Sequence, residues 1–167
     1  MPPASVTRTP AVTPVPDVCP PGRSQFLQAD RFPNMKLIVN VDGGARGNPG
    51  PAAIGVVIRD GDGNVLEDLG ETIGEATNNV AEYKALIRGI ERARELGADE
   101  LDLRGDSELI VKQMLGQYKV KHPDMKPLHA RAKEALAGTS SWTITHVRRE
   151  QNAEADALVN QALDAAA

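Results

Sequence analysis

The sequence has few aromatic residues and almost no cysteine. The first scarcity limits the kind of hydrophobic core the protein can have, and the second limits its disulfides. Aromatic residues make up 3% of the 167 residues, so the core is predicted to be aliphatic. Cys19 is the only cysteine, which excludes an internal disulfide and fits a reducing, cytoplasmic compartment. No run of eighteen apolar residues is present, so no membrane span is predicted. The N-terminus has no basic region followed by an apolar stretch, so no secretory signal is expected.

The chain also lacks a positive net charge. Its formal charge is −4, which argues mildly against a protein that binds nucleic acid through bulk charge. This charge does not exclude a nuclease, because metal-binding carboxylates add negative charge that bound cations cancel. Local basic groups remain at five positions, which are Lys119, Lys121, Lys126, Arg148 and Arg149.

Proline is concentrated at one end of the chain. Eight of the twelve prolines lie in residues 1–34, where apolar residues follow neither the helical nor the strand period. We predict a disordered, proline-rich N-terminal extension over residues 1–34 and one folded domain over residues 35–167. A natural start at Met35 is a hypothesis, which the intact mass of protein made from the native gene would test.

The stretch KLIVNVDGGARGNPGP over residues 36–51 is the one around which the chain is organised. Its first six residues are largely apolar and indicate a buried strand, which Asp42 and a glycine-rich turn follow directly. Alone, this pattern is more typical of a hairpin turn than of a ligand site. Three further carboxylates downstream, each near a strand end or a helix start, favour the ligand site.

The rest of the chain predicts the element order β-β-β-α-β-α-α-β-α. The later strands are predicted at residues 53–59, 65–73, 100–104 and 142–147, and the helices at 79–96, 108–115, 125–137 and from about 150. Short connections make the first three strands an antiparallel meander, whereas strands joined through helices are parallel. These features predict an α/β fold in which a mixed sheet carries helices on its faces.

Four carboxylates are predicted to converge at one edge of this sheet. Asp42 and Asp106 follow parallel strands, where ligand sites of α/β folds gather. Glu82 lies on the first turn of the first helix, and Asp156 lies on the first turns of the last. Taken singly, each acid is more typical of a helix start, a solvated helix face or a turn.

Four carboxylates around one point repel each other, and divalent cations relieve that repulsion. Oxygen ligands with few or no histidine or cysteine partners favour Mg²⁺ or Mn²⁺ over zinc. Two such ions about 4 Å apart suit an in-line phosphoryl displacement, so the chemistry that fits is phosphodiester hydrolysis.

Four motifs make the chain resemble type I ribonuclease H, the bacterial ribonuclease HI family. They are VDGGARGNPGP around Asp42, TNNVAEYKAL around Glu82, LRGDSELIVKQM around Asp106, and HVRREQNAEADALV around His146 and Asp156. The resemblance covers nearly all of residues 35–167. It implies a ribonuclease H-like fold, with a mixed five-stranded sheet and helices on both faces. It also implies a monomeric endonuclease that cuts the RNA strand of RNA–DNA hybrids with two Mg²⁺, or Mn²⁺ as a substitute, and leaves 5′-phosphate and 3′-hydroxyl ends.

The resemblance further implies a role for each acid and for one histidine. Asp42 would bridge both metal ions, and Asp156 would join it on the ion that activates water. Glu82 and Asp106 would hold the ion beside the leaving 3′ oxygen. His146 stands where the family places a mobile histidine implicated in proton transfer and product release. The alternative for His146 is a strand-end histidine bonded to the backbone.

Contacts to the hybrid are predicted next to the acids. A protein that tells RNA from DNA needs polar groups that reach the 2′-hydroxyl across a wide, shallow minor groove. The family uses its Thr-Asn-Asn segment in that groove, with the threonine helping to bind a DNA phosphate. The candidates here are the backbone of Gly43 and Gly44, the amides Asn48, Asn78 and Asn79, and Thr77. Helix capping alone is the alternative for the asparagines and is compatible with this role.

The chain departs from the family in four places, one of which is Gly44, at a position that is often serine in the family. The basic, tryptophan-bearing protrusion of some members is reduced to a short segment with three lysines, which predicts weaker binding of long hybrids. Glu108 replaces the glutamine of the common Asp-Ser-Gln, and no N-terminal hybrid-binding domain is recognised. Two alternatives stay open: a non-catalytic nucleic-acid-binding module, and a related metal nuclease that cuts double-stranded RNA or ribonucleotides in DNA.

Overall fold

A computed structural model describes residues 35–166, which form five strands, four α-helices and one short 3₁₀ helix. Nearly continuous buried runs form the two central antiparallel strands, and helical periodicity forms the helices, the first two of which begin after the capping residues Thr77 and Ser107. The elements are β1 Lys36–Ala45, β2 Gly50–Arg59, β3 Val65–Ala76, α1 Asn78–Glu95, β4 Glu100–Gly105, α2 Glu108–Met114, α3 Lys126–Ala137, β5 Ser141–His146, the 3₁₀ helix Arg149–Asn152 and α4 Ala153–Ala166.

The strands form one mixed sheet in the order β3-β2-β1-β4-β5. The pairs β1–β2 and β2–β3 are antiparallel, and the pairs β1–β4 and β4–β5 are parallel. The predicted element order, the meander and the parallel crossovers are therefore confirmed.

Helices pack on both faces of the sheet, as predicted. On one face, α1 approaches β1 so closely that a Cβ at Gly89 would lie 2.8 Å from Val39 Cγ1 and 3.0 Å from Val41 Cγ1. On the other face, α4 covers β2, and a Cβ at Gly55 would lie 2.2 Å from the carbonyl oxygen of Ala155. Glycine thus lets a helix approach the sheet on each face.

Strand β1 is longer than its apolar run predicted. The expected strand stopped before Asp42, but β1 continues to Ala45 because its last four residues pair with β2. The parallel ladder with β4 does end early, at the pair Val41–Gly105. Asp42 therefore lies within a paired strand at the point where its neighbour β4 stops, and Asp106 is the residue that follows β4.

The last helix also begins later than predicted. A helix from about residue 150 was expected, but a 3₁₀ turn covers Arg149–Asn152 and α4 begins at Ala153. The main chain of Arg148 closes this turn with Gln151, whose backbone N–H and side-chain oxygen it contacts at 2.9 and 3.3 Å. Apart from β1 and this helix, the predicted boundaries lie within three residues of those in the structure.

The core is mainly aliphatic, as the scarcity of aromatic residues predicted. Val39, Leu86 and Leu103 are each at most 1% exposed, and burying such a side chain contributes about 1.5–3 kcal/mol. The fully buried aromatic Tyr83 keeps its hydroxyl paired, since it donates to Gln113 Oε1 at 2.6 Å.

The prediction of a disordered extension over residues 1–34 lies outside the described residues. Within residues 35–166, no helix combines the length and the apolar character needed to cross a bilayer.

Candidate active site

Three of the four predicted carboxylates meet at the edge of the sheet. One oxygen each from Asp42, Glu82 and Asp106 lies within 4.8 Å of the other two. Asp42 comes from β1, Glu82 from the second turn of α1, and Asp106 from the residue after β4. Asp42 is only 6% exposed, whereas Glu82 and Asp106 are half-buried.

Close packing of α1 on β1 brings two of these acids together. A Cβ on Gly43 would lie 2.3 Å from the carbonyl carbon of Ala81 and 2.5 Å from the backbone nitrogen of Glu82. No side chain fits in that space, so the residue after Asp42 must be glycine for the strand and the helix to touch. Backbone contact therefore sets the spacing between Asp42 and Glu82.

Burial and mutual repulsion change the ionisation of the cluster. Burial first, and then the charges of Asp106 and Glu82, raise the pKa of Asp42 to about 8. Burial also raises the pKa of Glu82 to about 8, with Asp106 adding to the rise and a hydrogen bond from Ser107 opposing it. Without a cation, the cluster therefore retains protons near neutral pH.

A divalent metal ion fits this donor set. The ligands are all carboxylate oxygens, the chemistry that Mg²⁺ and Mn²⁺ prefer. Burial, and then repulsion between the acids, raises the pKa values of Asp42 and Glu82, and a bound cation would oppose both effects by favouring the ionised carboxylates.

The fourth acid, Asp156, stands beside the cluster but is not part of its closest group. It lines the same cleft and interacts directly with Asp42, which further raises the pKa of Asp42. The Nδ2 of Asn160 donates to the Asp156 carboxylate at 3.4 Å and to its backbone carbonyl at 3.1 Å. Asp42 thus interacts with all three of the other acids, Glu82, Asp106 and Asp156.

A buried amide pair that the sequence analysis missed holds the start of the last helix against β1. Asn152 is 1% exposed, and its Nδ2 donates to the carbonyl of Val41 at 2.9 Å. Asn40 Nδ2 donates to Asn152 Oδ1 at 3.1 Å, and Arg59 Nη1 donates to Asn40 Oδ1 at 3.3 Å. Because Val41 precedes Asp42, this network sets the position of α4, and hence of Asp156, relative to Asp42. A polar Asn40 inside the run IVNV was the signal that could have revealed it.

The carboxylates open into a cleft of about 800 Å³. His146 ends β5 and lines this cleft with an exposed side chain that makes no hydrogen bond to another residue in the range 35–166. Arg148 and Arg149, which the sequence analysis named only as local basic groups, line the cleft as well. Arg46 lines the cleft too, but its guanidinium pairs with Asp164 at 2.6 Å. One histidine and three arginines therefore share the cleft with the acids.

Some of the predicted substrate contacts line the cleft and others do not. Gly43, Gly44 and Asn78 line it. Asn78 Oδ1 accepts from the backbone N–H of Ala45 at 2.8 Å, and Asn48 Oδ1 accepts from the backbone N–H of Asn78 at 3.1 Å. These bonds tie the β1–β2 turn to the start of α1, so Asn48 supports the cleft wall without lining it.

Thr77 and Asn79 lie outside the cleft lining. Thr77 caps α1 by accepting from the backbone N–H of Val80 at 3.3 Å, and it lines a separate groove of about 510 Å³ together with Lys84. Glu108, the residue that departs from the family pattern, is exposed and pairs with Lys112 at 2.9 Å. These residues therefore do not surround the carboxylates.

Comparison with known proteins agrees with this geometry. Residues 40–162 match the family described as "Reverse transcriptase-like". The structure of RNase H1 from Halobacterium salinarum is similar with a TM-score of 0.77 and 49% identity, covering 78% of this chain and 98% of that one. The chain belongs to the type I ribonuclease H family. Its carboxylate cluster and cleft are accordingly those of a ribonuclease H domain.

Other members of the ribonuclease H family are similarly close. LC11-RNase H1, solved in complex with an RNA/DNA hybrid, has a TM-score of 0.74 and 50% identity, covering 78% of this chain and 98% of that one. The Halobacterium salinarum protein named Ribonuclease HI is 52% identical over 123 residues, which are 74% of this chain and 62% of that protein. The bifunctional protein of Mycobacterium tuberculosis is 46% identical over 80% of this chain and 37% of its own length. The chain thus spans less than two thirds of either protein.

Proposed function

We propose that this chain is a metal-dependent endonuclease that hydrolyses the RNA strand of RNA–DNA hybrids. The observation that carries the proposal is the convergence of Asp42, Glu82 and Asp106, with Asp156 beside them, in a cleft of the ribonuclease H fold. The hybrid bound in the structure of LC11-RNase H1, which is 50% identical, supports the substrate class.

The four acids would hold two Mg²⁺ ions, with Mn²⁺ as a possible substitute. Bound there, the ions would supply water activation and electrostatic stabilisation of the leaving oxygen. Asp42 would be the shared ligand, because it interacts with each of the other three acids. Glu82 and Asp106 would complete one site and Asp156 the other.

The other cleft residues would handle the proton and the substrate. His146, exposed and unbonded within the described range, is free to accept and release a proton near the reacting phosphate. The backbone of Gly43 and Gly44 and the NH₂ group of Asn78 would contact the 2′-hydroxyl groups that distinguish RNA from DNA.

Three further contacts and the chemical nature of the products complete the proposal. Asn48 and Asn79 would bind the minor groove from beside the cleft, and Thr77 would bind a DNA phosphate in the neighbouring groove. Cleavage would leave 5′-phosphate and 3′-hydroxyl ends, and the enzyme would act as a cytoplasmic monomer.

Cleavage of a labelled RNA–DNA hybrid in Mg²⁺, in Mn²⁺ and in EDTA tests the proposal. Double-stranded RNA and duplex DNA of the same sequence serve as matched substrates, and the products are mapped at nucleotide resolution. We expect metal-dependent cutting of the RNA strand of the hybrid alone. Cutting of double-stranded RNA would indicate a broader nuclease, and binding without cutting in either metal would indicate a non-catalytic module.

A further inference from the structure

Two arginines differ from the others because their guanidinium groups have no carboxylate or carbonyl partner within residues 35–166. Residues 35–166 contain nine arginines. Six pair with carboxylates and a seventh donates to a backbone carbonyl: Arg46, Arg59, Arg88, Arg92, Arg104 and Arg131 with acids, and Arg94 with Ala135 O. Within that range, the guanidinium groups of Arg148 and Arg149 have no such partner. These two arginines are adjacent and line the cleft that holds the acids.

The backbone around the pair is fixed although the side chains are exposed. The N–H of Val147 donates to the carbonyl of Gly105 at 2.9 Å, which attaches the segment to the end of β4. The main chain of Arg148 is bonded twice to Gln151, which closes the 3₁₀ turn. Hydrogen bonds therefore fix the backbone of the two arginines near Asp106. Only their side chains need to become ordered when a ligand binds, which lowers the entropic cost of binding.

Arg149 also lies near the acids themselves. Its charge lowers the pKa of Glu82, against the larger upward effect of burial. Arg149 and the acid cluster line the same cleft, so a nucleic-acid phosphate in that cleft would lie within reach of the guanidinium. Guanidinium groups match phosphate oxygens through paired N–H donors, and such charge-assisted bonds are stronger than neutral ones.

We propose that Arg148 and Arg149 form a phosphate-binding site for the RNA strand beside the bond that is cut, an inference that rests on the proposed hydrolysis of RNA–DNA hybrids. A chain of net charge −4 repels a nucleic acid at long range. It therefore needs cations at the cleft that are not already neutralised by protein acids. Arg148 and Arg149 meet that requirement. Arg46 lines the same cleft but is paired with Asp164, and the other paired arginines do not line it.

Binding of a labelled hybrid by the full chain tests the site without cleavage if all proteins carry Asp42→Asn. We expect Arg148→Gln and Arg149→Gln each to weaken binding about 10-fold near 100 mM salt. Each should also reduce the slope of log K against log salt by about 0.9, the value for one lost phosphate contact. Arg149→Lys should restore the slope but only part of the affinity, because lysine keeps the charge and loses the paired donors.

Arg131→Gln is the matched control. Arg131 is an exposed arginine on α3 that pairs with Glu91 at 3.1 Å and does not line the cleft. We expect its affinity and salt slope to equal those of the parent protein. The proposed site would be overturned if the salt slope is unchanged in both cleft variants, or if Arg131→Gln loses as much affinity and slope as they do.

A second hybrid identifies the strand that is contacted. When the DNA strand carries uncharged methylphosphonate linkages, the difference between parent and cleft variants should persist, because the RNA phosphates are intact. Loss of that difference would place the arginines on the DNA strand and refute the inference.

An alternative is that Arg149 serves only as an internal counter-ion for Glu82. Arg149→Gln would then leave the salt slope unchanged and alter only the Mg²⁺ concentration needed for thermal stabilisation, a result that would also overturn the site. In the chain that retains Asp42, the variants should raise KM more than they lower kcat. Failure of the unmodified chain to cut hybrid would refute the proposed function, while the salt slopes would still report on phosphate binding.

Discussion

The two walls of the cleft are built differently, although both contribute charged groups to it. One wall consists of β1, α1 and the end of β4, and it presents Asp42, Glu82 and Asp106 from buried or half-buried positions. The other is the segment from β5 into α4, which presents His146, Arg148 and Arg149 on exposed side chains, with Asp156 half-buried behind them. The first wall fixes carboxylates at short distances, and the second offers side chains that can move. Substitutions should therefore cause all-or-none losses on the first wall and graded losses on the second.

Asp42→Asn should have the largest effect. It removes the acid that interacts with each of the other three, so we expect cleavage to fall by at least about 10³-fold, the upper range for loss of one oxyanion-hole donor. The fold should persist and the metal-free protein should become more heat-stable at pH 8, because one repelling charge is gone. Hybrid cleavage, circular dichroism and thermal unfolding measure these effects.

Asp62→Asn is the control for that substitution, since Asp62 is an exposed acid in the β2–β3 turn. It should change neither activity nor stability by a measurable amount. Near-normal cleavage by Asp42→Asn would refute the assignment of Asp42 as the shared metal ligand.

Gly43→Ala should have the second-largest effect, because it changes the spacing between β1 and α1 in the first wall without removing a charge. The added methyl overlaps the backbone of Ala81, so α1 must move away from β1. We expect a destabilisation of at least about 2 kcal/mol, within the range for overpacked sites, and an activity loss of about 10²-fold. Denaturant unfolding and cleavage assays measure the two effects.

Gly44→Ala is the matched control for stability. Its added methyl would lie 3.6 Å from Val159 Cγ1, an ordinary contact distance. Equal stability losses in the two variants would mean that the contact between Gly43 and Ala81 does not set the position of the helix.

His146→Ala should cause a graded loss that is smaller than that of Asp42→Asn and lacks the destabilisation expected for Gly43→Ala, since it removes an exposed side chain from the second wall. We expect kcat to fall by about 10²-fold, the lower end of the range for general acid–base groups, with stability unchanged because the side chain is exposed. Rate profiles against pH for the two proteins provide the measurement. A loss as complete as that of Asp42→Asn would show that the histidine is indispensable and contradict an auxiliary role.

The smallest effect should be in the pH dependence of stability. The folded-state pKa values of Asp42 and Glu82 are raised to about 8, whereas the unfolded chain titrates them near 4. Between these values the folded state binds more protons than the unfolded state, so the stability of the metal-free protein should fall as pH rises from about 4 to 8. We expect a decrease of at least a few degrees in Tm, since 1 kcal/mol corresponds to about 2–8 °C.

Thermal unfolding in EDTA and in Mg²⁺ at pH 5, 6.5 and 8 measures this dependence. Mg²⁺ should abolish the decline, and Asp42→Asn should reduce it in EDTA. A metal-free Tm that does not differ between the unmodified chain and Asp42→Asn at any pH would show that the repulsion is absent.

Sequence reasoning recovered the parts of the fold that depend on local patterns. The order of elements followed from hydrophobic periodicity and from caps such as Ser107, which accepts from Ile110 N at 3.4 Å. The convergence of Asp42 and Asp106 followed from the rule that parallel strands end at one edge. The sequence could not show that β1 continues past Asp42. Residues 42–45 stay in the strand because they pair with β2, not because they are apolar.

Contacts between distant segments were not readable from the sequence. Asn40 and Asn152 are 112 residues apart, and neither shows from its neighbours that the other is its partner. Similarly, Thr77 and Asn79 belong to a segment of which only Asn78 lines the cleft, since successive residues at a helix start point in different directions. Pairing of arginines is a tertiary property as well, so Arg148 and Arg149 could not be distinguished from the other basic residues.

The close packing of α1 on β1 at Gly43 and Gly89 affects which sequence changes the domain can tolerate. At Gly43 the separation is set by backbone against backbone, and at Gly89 by backbone against two valine methyls. Aliphatic residues elsewhere in the core can therefore exchange volume with one another, at some loss of stability, without altering the distance between Asp42 and Glu82. The distance between Asp42 and Glu82 therefore does not depend on which aliphatic residues fill the rest of the core. During evolution, related sequences can change those core residues and keep the same chemistry.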